Sequence, residues 1–389
     1  MQPTGVLETS KATNPLKALL GYGQSMWLDY IRRDLLTSGQ LKTMIEDDGL
    51  RGMTSNPSIF EKAIGESSLY DDILKSLASR NDLDTTTRYE QIAIRDIQGA
   101  ADILRPVYES SQFKDGYVSL EVSPLLAMKT PETIEEGRRL WKTVNRENVM
   151  IKVPGTAEGL PAIRQLISEG INVNVTLLFA QEVYEKVAEA YILGLEDLAK
   201  RGGNLKRMAG VASFFISRID TLVDSMIDDK LKSADATQQT LLKSLKGKVA
   251  IANGKLTYQR YQKIFSGARW EALASNGAQT QRVLWASTST KNPAYRDVMY
   301  VEELIGPQTV NTMPPATIDA FRDHGKLRNS LTEDVPAAQK VMDDLAKAGI
   351  AISEVTTKLT NDGVKLFADA FHKLLAVVEK STQTKGKTA

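Results

Sequence analysis

The chain has 389 residues, with 49 Lys+Arg against 48 Asp+Glu and a formal net charge of +1, so nothing supports a broad polyanion-binding face and nucleic acid is not an expected partner. There is no cysteine, and the only histidines are His324 and His372, read as structural or surface residues. Disulfides, thiolate chemistry and a three-histidine zinc site in one chain are thereby excluded.

No apolar run reaches the roughly 18 residues of a membrane span. The opening MQPTGVLETSKATNPLKALL lacks the charged-then-apolar layout of a secretory signal. A cytoplasmic location without a membrane partner is expected.

In chain order, eight short segments read as strands: SMWLDY (25–30), LRGMTSN (50–56), YVSLEVS (117–123), VMIKVP (149–154), INVNVT (171–176), MAGVASFF (208–215), RVLWAS (282–287) and TVNTM (309–313). Helical stretches separate most of them. Thr130, followed by Pro131 and Glu132, opens one helix; Thr156 can cap the next and Gly170 can stop it. QEVYEKVAEAYILGLEDLAK is a longer helix ended by Gly202 and Gly203. Residues 57–116 leave room for two or three helices, 219–281 for several more, and 316–380 read as helical.

Strands alternating with helices imply βαβ units and a parallel sheet, and eight such units imply closure. The expected fold is α/β, a (β/α)8 TIM barrel with extra helical insertions. No Pro- or Ser-rich linker divides it, so one domain is expected over 1–380, with 381–389 a polar, frayed tail.

Side chains of a strand alternate between two faces. In INVNVT, Ile171, Val173 and Val175 oppose Asn172, Asn174 and Thr176; in VSLEVS, Val118, Leu120 and Val122 oppose Ser119, Glu121 and Ser123; Lys152 opposes Ile151 and Val153. The outer face of a barrel must meet helices, so the polar set points inward. Burying polar groups there opposes stability, which favours a functional reason. Asp29, Asn56, Glu121, Lys152, Asn174, Thr176 and Ser213 all sit toward the C-terminal ends of their strands, where sites of this fold lie. A half-exposed antiparallel sheet is the alternative, and long helical crossovers speak against it.

A lysine in an apolar barrel is poorly solvated as a cation, and desolvation favours the neutral amine that attacks carbonyls. Asp29 and Glu121 could move protons around it, and Asn56 and Asn174 offer amides to substrate hydroxyls. Plainer readings exist: Lys152 snorkelling to solvent, Asp29 a cap or surface acid, Glu121 a buried ion-pair partner, Asn56 a turn start before Pro57. Arg218 after the sixth strand and Lys291 after the seventh, with Ser287 near the latter, suit a phosphate monoester.

MTSNPSIF, VSLEVSP, IKVPGT, INVNVTLLF, ASFFISRID and ASTSTKNPAY, in this order from about Gln24 to Phe371, resemble the strand motifs of the transaldolase family. The likeness is strongest to its longer bacterial branch, which includes fusions to a glucose-6-phosphate isomerase; no fused isomerase is expected in 389 residues. The resemblance implies transfer of dihydroxyacetone from sedoheptulose 7-phosphate to glyceraldehyde 3-phosphate, within the pentose phosphate pathway, without cofactor or metal. It implies Lys152 as the Schiff-base lysine and Asp29 as the acid/base of C–C cleavage. Glu121 would act through a water held with Thr176. Asn56 and Asn174 would hold dihydroxyacetone hydroxyls, Ser213 and Phe215 would line the site, and Arg218 would hold phosphate.

Many members carry an arginine two residues after the serine matching Ser287; here Ser289 stands there, and Lys291 is assigned to phosphate. A Schiff-base aldolase of the fructose-6-phosphate type and a non-catalytic phosphosugar-binding barrel are the alternatives. Glu121 leans toward transaldolase, because the related aldolases lack that acid.

Overall fold

The computed structural model describes residues 14–386. The N-terminal stretch read against a secretory signal falls, through residue 13, outside the described residues, as do 387–389 of the tail.

Eight parallel strands close a barrel in chain order. They are β1 Gln24–Asp29, β2 Gly52–Thr54, β3 Tyr117–Glu121, β4 Val149–Pro154, β5 Val173–Leu178, β6 Gly210–Phe215, β7 Arg282–Ala286 and β8 Thr309–Met313. β8 returns to pair with β1, Trp27 lying opposite Thr312. Nearly every strand residue is buried, because the outer face meets helices and the inner face fills the barrel.

β5 is displaced from its expected span: it begins at Val173 and ends at Leu178, two residues later at each end than INVNVT. Asn172 is used otherwise: its Oδ1 accepts from Ala209 N at 2.9 Å and its Nδ2 donates to Glu147 O at 2.9 Å, stitching three chain segments at the barrel's lower rim. Near its upper end β5 breaks register with β6 between Val175 and Leu178, and Leu177 takes a left-handed φ of 60°.

The lower barrel contains polar groups that satisfy one another. Arg282 Nη2 lies 2.8 Å from Asp115 Oδ1, Arg282 Nη1 donates to Ser25 Oγ at 2.8 Å, and Ser25 Oγ donates to Asp115 Oδ2 at 2.8 Å. All three are buried. Above them Trp27 fills the space left by Gly52, its partner in register: a Cβ on Gly52 would lie 2.5 Å from the indole.

Between β2 and β3 lie three helices, Pro57–Gly65, Asp71–Ala78 and Thr85–Ser110; between β6 and β7 lie four, Ser217–Leu231, Ala236–Leu245, Val249–Ile264 and Ala268–Ser275. Thr156 is not the N-cap, a place that Glu158 takes without a side-chain hydrogen bond; from the turn before it, Thr156 Oγ1 accepts from Gly159 N, the first helical residue, at 3.0 Å. Thr130 does not cap. It is the first helical residue, and its hydroxyl donates to Glu158 O at 2.6 Å instead.

The last helix spans Ile352–Gly386, so the segment expected to fray after Lys380 is helical as far as Gly386. It packs on the helices of the β2–β3 insertion: Phe371 meets Tyr89 edge-on with ring centroids 5.9 Å apart, and Tyr89 meets Phe60 at 5.8 Å. Gly363 lets this helix approach β5, since a Cβ there would lie 2.9 Å from Leu177 Cδ2.

Candidate active site

The upper end of the barrel opens into a cavity of about 200 Å³. Asp29, Asn56, Lys152, Thr176, Ser213 and Phe215 line it from the strand ends, and Arg218, Ser287 and Lys291 from the following loops. Nine of the eleven residues singled out in the sequence therefore line one cavity. Glu121 and Asn174 stand behind it.

Lys152 is 6% exposed. Its Nζ donates to Ser55 O at 2.9 Å and lies 3.7 Å from Glu121 Oε2. The registers of β3, β4 and β5 place Glu121, Lys152 and Asn174 side by side. The ion-pair reading of Glu121 is thus observed, and it coexists with a place in the site. Burial raises the Glu121 carboxyl to about 6; the Lys152 charge opposes this, and Asp29 adds to it. Glu121 Oε2 and the hydroxyl of buried Thr176 have no hydrogen-bond partner among the described residues. Unpaired polar atoms at such depth are costly, which makes them places for a water or a substrate hydroxyl.

Asp29 ends β1. Burial raises its carboxyl, while the Thr54 hydroxyl, Lys152 and Lys291 pull the other way. Thr54 Oγ1 donates to Asp29 Oδ1 at 2.7 Å and stands 2.8 Å from Thr312 Oγ1. Thr54, itself held by Thr312, therefore fixes the acid's orientation.

Asn56 serves two purposes. Its Oδ1 accepts from Ile59 N at 3.0 Å, capping the Pro57–Gly65 helix, while the residue remains on the cavity wall. This fixes the amide plane, with no hydrogen bond from Nδ2 among the described residues. Asn174 is fully buried and does not line the cavity: its Nδ2 donates to Ser119 Oγ at 3.0 Å and its Oδ1 accepts from Ser213 Oγ at 2.7 Å.

At the mouth, the Arg218 guanidinium lies 5.1 Å from the centre of the Phe215 ring, and no carboxylate pairs with it among the described residues. Burial lowers the Arg218 pKa. Lys291, part of whose surface meets solvent, is also lowered, by burial first and the Arg218 charge second. Its Nζ donates to Ser289 Oγ at 2.6 Å. Two cations thus face one cavity, with Asp29 the carboxylate whose charge reaches Lys291.

Thr54, Thr312, Ser289, Pro314 and Phe367 also line the cavity. Thr54 was within reach of the alternation rule, two residues before Asn56. Phe367 was not: it comes from the last helix, and no local signal tells which helix reaches the cavity. Both histidines are exposed, His324 between Asp297 and Asp323. Among the described residues no group of three or more His, Asp or Glu is arranged to hold a metal, and no helix is long and apolar enough to cross a membrane.

The Transaldolase/Fructose-6-phosphate aldolase family model matches residues 26–378. A protein of Trichodesmium erythraeum named Transaldolase is 49% identical over 376 residues, covering 95% of this chain and 98% of its own length. Transaldolase 2 of Nostoc sp. strain PCC 7120 is 49% identical over 372 residues, covering 95% and 97%. Transaldolase of Thiobacillus denitrificans is 46% identical over 365 residues, covering 94% and 99%. By the extent of both likenesses, this chain belongs to the transaldolase/fructose-6-phosphate aldolase family.

Proposed function

We propose that the chain is a transaldolase, moving dihydroxyacetone from sedoheptulose 7-phosphate to glyceraldehyde 3-phosphate through a Schiff base on Lys152. The observation that carries the reading is Lys152 itself, a buried amine on a cavity wall with Glu121 beside it and Asp29 lining the same cavity. Relatives covering nearly the whole chain carry the name transaldolase.

Glu121, as carboxylate, takes a proton from the Lys152 ammonium, directly or through a water held by Thr176. The amine attacks the ketose carbonyl and forms a carbinolamine. Glu121 returns the proton to the departing hydroxyl, water leaves, and an iminium remains. Asp29 then removes the proton of the C4 hydroxyl. The C3–C4 bond breaks, its electron pair flows to the iminium nitrogen, and the aldose departs. The enamine left on Lys152 attacks the acceptor aldehyde, Asp29 returns its proton to the new hydroxyl, and hydrolysis frees the product ketose.

Asn56 Nδ2 offers a donor to the dihydroxyacetone unit. Asn174 acts behind the wall, holding Ser213. Arg218 and Lys291 take the phosphate, with the Ser287 and Ser289 hydroxyls beside them. The electron sink is the iminium, so the sequence of steps needs no metal.

Fructose 6-phosphate with erythrose 4-phosphate should give sedoheptulose 7-phosphate and glyceraldehyde 3-phosphate, and this transfer is the test. Free dihydroxyacetone released without acceptor, at a rate rivalling transfer, would favour the aldolase reading. Binding of the sugar phosphate with no exchange would favour a non-catalytic barrel.

A further inference from the structure

Arg218 and Lys291 carry like charges toward one cavity, and that repulsion works against holding them together. Lys291 lies within 287–298, a stretch without helix or strand. Arg218 belongs to the Ser217–Leu231 helix. The loop is tied to that helix at both ends.

At the near end, Ser217 N donates to Ser287 O at 3.1 Å, and the two hydroxyls are 2.9 Å apart. At the far end, Tyr295 OH donates to Asp224 Oδ2 at 2.6 Å. Asp224 Oδ1 accepts from Gly247 N at 3.2 Å. The Tyr295 ring lies against Gly247, where a Cβ would come within 2.7 Å of its Cζ. A parallel tie follows: Tyr300 OH donates to Asp220 Oδ2 at 2.9 Å, and Asp220 Oδ1 accepts from Ala250 N at 2.8 Å.

Both carboxylates are buried, Asp220 to 1% and Asp224 to 8% exposure, and neither has a Lys or Arg within ion-pair distance among the described residues. A buried carboxylate without a cation opposes stability. Here each spends both oxygens on hydrogen bonds: Asp224 joins the helix to the loop and to Gly247, and Asp220 joins it to Tyr300, just past the loop, and to Ala250 of the Val249–Ile264 helix. The Tyr295–Asp224 bond, at 2.6 Å, is the shorter of the two tyrosine ties, and burial raises the Asp220 carboxyl to about 7.

We propose that Asp224 and Tyr295 are positioning residues for the phosphate end of the substrate: their hydrogen bond fixes the Lys291 loop to the helix that carries Arg218. With the loop clamped beyond Lys291 and at Ser287, Lys291 stays beside Arg218 before substrate arrives, and the phosphate meets a formed site. Asp220 and Tyr300 support the same clamp. The proposal rests on the phosphate role given to Lys291 above.

The test compares Tyr295→Phe, Asp224→Asn and their double variant with Lys291→Ala, using fructose 6-phosphate and unphosphorylated fructose as donors. Tyr295→Phe keeps the ring against Gly247 while removing the bond to Asp224, and a thermal unfolding curve confirms that the variant assayed is folded. It should raise KM for fructose 6-phosphate roughly tenfold, with kcat within about twofold, and leave kcat/KM for fructose unchanged. Asp224→Asn should act in the same direction, and the double variant should fall short of the product of the two effects. If Lys291→Ala raises KM for the phosphorylated donor and Tyr295→Phe does not, the clamp is overturned and the phosphate site stands. If Lys291→Ala leaves that KM unchanged, the phosphate role of Lys291 is overturned and the clamp with it.

Discussion

Glu121 and Lys152 are partners in register on adjacent strands, with their charged atoms 3.7 Å apart in a nearly closed environment. Because burial raises the Glu121 carboxyl from 4.5 to about 6, the folded chain holds this proton to higher pH than the unfolded chain. Between those values the unfolded chain ionises first, so this group lowers stability as pH rises; above about 6 the cost levels near 2 kcal/mol.

The same shift shapes catalysis. Proton transfer from Lys152 requires the Glu121 carboxylate, so kcat/KM should rise with pH through about 6 and then flatten. Glu121→Gln should lower kcat by roughly a hundredfold or more and abolish that rise. A pH–rate series on both proteins checks this. An inflection near 6 persisting in the variant would assign it elsewhere.

Asp29 and Glu121 should fail at different steps. Asp29→Asn removes the base for C–C cleavage but leaves Lys152 and Glu121 in place. Turnover should fall at least about a hundredfold while borohydride still traps the intact six-carbon ketose. Mass spectrometry of the adduct decides: a three-carbon adduct at the normal rate would remove Asp29 from the cleavage step.

Phe367 lines the cavity from the last helix, and an enamine that must wait for an aldehyde is protected by keeping water out. Phe367→Ala should raise the ratio of released dihydroxyacetone to transferred dihydroxyacetone several-fold. An unchanged ratio would make the ring a packing residue only.

Gly52 tests the barrel interior rather than the chemistry. The clash of a Cβ with the Trp27 indole should make Gly52→Ala destabilising by about 1–3 kcal/mol, read from denaturant unfolding. A neutral effect would mean that Trp27 can move aside freely.

The barrel was legible because its signals are local. Alternation in INVNVT and VSLEVS separates faces, and inward polar residues at strand ends mark the rim. The displacement of β5 was not legible, since Asn172 looks like Asn174 in sequence, yet one ties the lower rim and the other holds Ser213. The Arg282–Asp115 pair shows the limit of reading buried charge as function: it is fully satisfied and sits at the opposite end from the cavity. Phe367 and the Tyr295–Asp224 tie depend on long-range packing that no periodicity encodes.

The central claim is the covalent role of Lys152, and its most direct test is reductive trapping. The protein is incubated with fructose 6-phosphate, reduced with borohydride, digested and sequenced by mass spectrometry. The expected result is a dihydroxyacetone-derived mass on the peptide containing Lys152, lost in Lys152→Ala together with at least about a thousandfold of transfer activity, while the fold persists. Folded protein that binds the sugar phosphate yet yields no adduct at Lys152 would contradict it.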